Sequence, residues 1–109
     1  MLDIVTPEMI DNYFDNMVNR YFKILPMFEN ETESLSTYLD SFRCELCSVY
    51  YVVDGIENDS MFVTLICILT YFIDNIEKEL DKESVKREVF RAISICNQLK
   101  ARYGVSAEV

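Results

Sequence analysis

The thirteen residues from Met61 to Ile73 are apolar except for Thr64 and Thr70. As a helix such a run spans about 20 Å, short of the ~30 Å hydrocarbon core of a bilayer. It therefore reads as a core helix rather than a membrane span. Apolar side chains almost all the way round a helix need cover on most sides. The rest of the chain has to supply that cover.

Thr6-Pro7 starts a helix well: a side-chain oxygen at the N-cap precedes a proline at the first helical position, where its missing N–H costs nothing. Met9/Ile10, Tyr13/Phe14, Met17/Val18 and Tyr21/Phe22 then recur every four residues as an apolar stripe. Pro26 disfavours helical backbone at Leu25, which predicts an end near Lys23. The segment 24–32 carries Leu25, Met27 and Phe28 and is expected to fold back onto the other helices as a connection.

Leu35, Leu39, Phe42, Leu46, Val49 and Val53 are spaced 4-3-4-3-4, a helix-packing seam. Gly55 is placed to end that helix in a left-handed conformation. Asp59 or Ser60 can cap the apolar helix, and Asp81 can cap a last one, with Glu83 in its first turn. Val85, Val89, Ala92, Cys96, Leu99 and Tyr103 repeat the 4-3-4-3-4 seam, and Gly104 closes it.

These signals predict an all-α chain, a compact up-and-down bundle of four helices over about 7–23, 33–54, 60–79 and 82–103, with the third helix central. A chain of 109 residues fits one domain spanning 1–109. Half its residues are apolar, and two Gly and two Pro provide too little punctuation for an all-β fold.

The formal net charge is −9, from 19 acidic and 10 basic residues, so the overall field repels nucleic-acid phosphates and anionic lipid headgroups. Direct nucleic-acid binding and membrane association are not expected. Residues 1–9 carry Asp3, Pro7 and Glu8 instead of a basic stretch followed by an apolar run, so a secretory signal is not expected. The four cysteines are read as thiols in a reducing cytoplasm.

Catalysis finds little support in the residue types. Histidine is absent, which removes the usual neutral-pH general base, and both glycines are read as helix terminators rather than a phosphate loop. No catalytic residue, metal or cofactor is expected. Asp11 and Asp15, one turn apart, read as a solvated face.

Charge is unevenly distributed. Residues 81–103 sum to +3, while the first 80 sum to −11. On a helical wheel Arg87, Arg91, Gln98 and Arg102 form one stripe away from the Val85/Val89 seam. The stripe suits an acidic partner protein or self-association against the acidic face of a second copy, set against the plainer reading that these arginines pair with carboxylates of their own chain. On the second helix Thr37, Cys44, Cys47, Ser48 and Tyr51 form a small, weakly polar face away from its seam, suited to self-association as a homodimer.

Cys44 and Cys47 also carry the alternative reading, a thiol- or zinc-based sensor. Against it, the pair lies mid-helix with no strand before it, and Cys96 belongs to a different seam. The sequence is thus read as a small acidic protein–protein interaction module, an adaptor, regulator or inhibitor without catalytic activity.

Overall fold

The computed structural model describes residues 6–31, 33–49, 53, 55–76, 78 and 80–105. Four helices follow one another: α1 Pro7–Glu29, α2 Leu35–Ser48, α3 Ser60–Asn75 and α4 Lys82–Tyr103, with a 3₁₀ turn at Ile56–Asn58 before α3. Among the described residues there is no strand, and no helix is long and apolar enough to cross a membrane.

Three of the four helix starts are set by side-chain caps. The Thr6 hydroxyl accepts from Met9 N at 3.2 Å, Asp59 from Met61 N at 3.0 Å and Asp81 from Ser84 N at 2.8 Å. Each satisfies a backbone donor that has no partner within its helix.

Cross-helix contacts fix the directions. Asp15 meets Lys100 and Glu29 meets Lys82, so α1 and α4 run antiparallel along most of their length. Arg20 pairs with Glu45 across α1 and α2, and Arg43 donates to Thr70 across α2 and α3. At the far end Arg102 reaches back to Asp59 at the start of α3. Neighbours in this ring are α1–α2, α2–α3, α3–α4 and α4–α1. The arrangement is the predicted up-and-down bundle.

Both predicted seams face the common core. Leu35, Leu39, Phe42, Leu46 and Val49 are buried from the first, and Val85, Val89, Ala92, Cys96 and Leu99 from the second. They close on Phe14, Met17, Tyr21 and Ile24 of α1 and on Phe62, Leu65, Ile68, Leu69 and Phe72 of α3. The Tyr21 hydroxyl, 44 residues away in sequence, donates to Leu65 O at 3.0 Å and ties α1 to α3 across the middle.

The expected central position of the third helix is not found: α3 is one wall of this ring, flanked by α2 and α4. Val63 and Tyr71 remain 38% and 41% exposed, with Cys67 exposed between them. A helix in a four-membered ring has neighbours on two sides and the core on a third, so one face stays open whatever its composition.

Three predicted helix ends need correction. α1 does not stop near Lys23 but continues through Pro26 to Glu29. Proline removes one backbone donor and crowds the preceding turn, at a cost of about 3 kcal/mol. Burial of Ile24 and partial burial of Leu25, Met27 and Phe28 offset it. The chain then turns at Glu31, whose φ is 51°.

α2 ends at Ser48 rather than Asp54. Ser48 donates its hydroxyl back to Glu45 O at 2.6 Å, and farther on Ile56 is fully buried. Gly55 takes the expected left-handed backbone (φ 82°), but it precedes the 3₁₀ turn instead of closing α2 directly. α3 ends at Asn75 rather than near residue 79: the Asn75 side chain donates to Tyr71 O, and Lys78 N closes a turn onto Asn75 O.

Gly104 follows α4 as expected, though not by a left-handed conformation, since its φ is −89°. The reason for glycine is space. A Cβ there would lie 1.8 Å from Asp11 Oδ1 and 2.6 Å from Lys100 O. The same Asp11 oxygen accepts from Val105 N, which fastens the end of α4 to α1.

Candidate interaction surface

The α3–α4 seam begins at Asp59. This carboxylate, 6% exposed, accepts from Met61 N, from Arg102 Nη1 at 2.5 Å and from the Tyr103 hydroxyl at 2.7 Å. Burial by itself would raise its pKa. The hydrogen bonds from Tyr103, Arg102 and Met61 N, with the Arg102 charge, outweigh burial and hold the carboxyl below its usual 3.8.

Further along the seam Thr64, Cys67, Ile68 and Tyr71 of α3 face Arg87, Glu88 and Arg91 of α4 across an open groove of about 460 Å³. Thr64 donates its hydroxyl to Ser60 O at 2.8 Å, one turn back in its own helix. Its local hydrogen bond is thereby satisfied without a partner molecule. Buried Ile68 forms the floor.

Glu88 stands between the two arginines. Arg91 Nη1 lies 3.1 Å and Arg87 Nε 3.6 Å from its carboxylate. Glu88 is mostly covered, at 18% exposed, whereas the arginines are 69% and 57% exposed. Each guanidinium carries five N–H donors in a rigid fork, so one shared carboxylate orients them without exhausting them.

The predicted stripe therefore divides. Arg87 and Arg91 come together beside the open face of α3. Gln98 lies farther along α4 and donates to Ser94 Oγ at 3.3 Å. Arg102 is held by Asp59 and also contacts Met61 Sδ at 3.6 Å, so its charge is used within the chain. No local spacing in the sequence joins Asp59 to Arg102 or Tyr103, and sequence reasoning missed that clamp.

On α2, Thr37, Cys44 and Ser48 are exposed and Cys47 is half-buried; Tyr51 lies outside the described residues. Exposed Asp40 and Glu45 lie along this same helix, each paired with an arginine, Arg43 and Arg20. The four thiols are dispersed over three helices, and burial pushes Cys96 up to about 12, which makes it a poor thiolate. Among the described residues no three of Cys, Asp and Glu gather as metal ligands.

Two other depressions are present. One, at the α1–α2 and α3–α4 turns, has an apolar floor of Phe28, Leu35, Ile76 and Leu80. The second lies between α1 and α2, and Tyr13 is at its base. The buried Tyr13 hydroxyl has no hydrogen-bond partner among the described residues, and burial raises its pKa well above 10.0. Elsewhere on the surface the exposed Phe22 and Phe90 cover each other edge to face, with ring centres 5.9 Å apart.

The α3–α4 groove thus combines an uncovered apolar helix face with two oriented cations. Comparison with family models, with curated proteins and with solved structures returns no match to this chain.

Proposed function

We propose that this chain is a non-catalytic protein-interaction module that engages a partner protein through the α3–α4 face. One observation carries the reading: Cys67 and Tyr71 are left uncovered beside Arg87 and Arg91, which pair with a shared Glu88. Tyrosine and arginine are enriched among residues that dominate binding energy, because each combines large contact area with directional polar groups.

The test is affinity capture from the native host with the wild-type chain and with an Arg87→Glu, Arg91→Glu double variant. Arg102 is left intact because reversing it would place two carboxylates together at the start of α3. Partners captured by the wild type and lost by the double variant are expected. Recovery of the same partners by both forms overturns the reading.

A further inference from the structure

Building on the docking surface proposed above, we infer that its occupant is a short acidic segment of a partner protein carrying an aromatic or large aliphatic anchor. The geometry supplies both halves of that description. Arg87 and Arg91 are one helical turn apart, which places their Cβ atoms about 6 Å from each other. Carboxylates two residues apart on an extended strand span about 6.6 Å, and those one turn apart on a helix about 6 Å. Either form can present one carboxylate to each guanidinium.

Among the residues lining the groove, two exposed arginines stand against one mostly covered glutamate, so the lining carries a net positive charge. Arg87 and Arg91 retain free donors for bidentate contact with incoming carboxylates. On its α3 side the groove is lined by Thr64, Cys67, Ile68 and Tyr71, an uncharged wall suited to an apolar side chain, and its one carboxylate, Glu88, is shared between the two arginines. An acidic segment without an anchor would leave that wall wet, and an apolar segment without acids would leave the arginines unmatched.

The net charge of −9 decides the length of the segment. Charges farther than the screening length of about 8 Å at physiological salt interact weakly, and those within it dominate. A broadly acidic partner surface would meet the acidic remainder of this chain within that range. A short segment concentrates its carboxylates at the arginines and avoids the penalty.

Random short peptides displayed against the full chain test this inference, followed by titration of the selected consensus peptide into ¹⁵N-labelled protein. The expected result is a consensus joining Asp or Glu to an aromatic or large aliphatic residue, with amide shifts confined to 63–71 and 87–91. Its affinity should fall about tenfold or more for Arg91→Gln, a loss of about 1.4 kcal/mol, and fall again at raised salt. Circular dichroism of the variant confirms that the helices remain.

A neutral or basic consensus shifting the same amides overturns the acidic segment and leaves the docking surface standing. Shifts elsewhere, or no selected peptide, overturn both. A dimer detected by light scattering that dissociates in the Arg87→Glu, Arg91→Glu variant shows the occupant to be a second copy of this chain, and overturns the inference.

Discussion

Tyr13 and Tyr21 lie two turns apart on α1, and their hydroxyls meet opposite circumstances. Tyr21 donates to Leu65 O at 3.0 Å, whereas buried Tyr13 has no partner among the described residues. A made hydrogen bond contributes roughly 1 kcal/mol net, while an unmade buried one costs about 1–3 kcal/mol. Tyr21→Phe is therefore expected to destabilise by about 1 kcal/mol and Tyr13→Phe to be neutral or stabilising, measured by urea unfolding. A loss of stability in Tyr13→Phe equal to that in Tyr21→Phe would contradict the assignment. Gly104 gives a second contrast at this scale. Gly104→Ala drives a Cβ into Asp11 and the Lys100 carbonyl, and should cost about 1–3 kcal/mol, as overpacking does. An unchanged melting temperature would show that the end of α4 moves aside freely. Tyr21 depends on Leu65 and Gly104 in part on Asp11, atoms distant in sequence that neither residue advertises locally.

The helices show how local preference and packing compete. Caps at Thr6, Asp59 and Asp81, and seams spaced 4-3-4-3-4, were legible because each uses residues within one or a few turns. The Pro26 stop signal was equally local and was overridden. The residues after it contribute apolar surface to the core, which offsets the lost backbone bond. Pro26→Ala should thus stabilise the protein. About 3 kcal/mol of helix penalty is relieved, less up to about 1 kcal/mol from a freer unfolded chain, for a net gain near 2 kcal/mol by chemical denaturation. A destabilised variant would mean that the proline itself shapes the turn at Glu31. The end of α2 was misplaced for the converse reason: Val53 continues the seam pattern in sequence, whereas the helix ends at Ser48.

At the scale of the whole molecule, the Asp59 clamp joins the start of α3 to the end of α4 and adds an acid-sensitive contribution to stability. Its carboxyl titrates below 3.8 in the folded chain, so its contribution is complete above that unfolded-state value. The contribution is lost as pH falls through the lower folded value. Thermal melts from pH 6 down to about 2 should show a decline below about pH 4 that is shallower in Asp59→Asn, which has no charge to lose. Parallel curves would remove Asp59 from the account. The α3 face illustrates the division between sequence and structure. By itself the sequence determined that Met61–Ile73 is helical, that two seams accompany it and that basic charge gathers on α4, because periodicity and composition act locally. Only the tertiary structure decided which side of α3 stays open, that Arg87 and Arg91 stand beside it, and that Arg102 is taken by Asp59. Those outcomes depend on how four helices share one core, and no single helix carries that information.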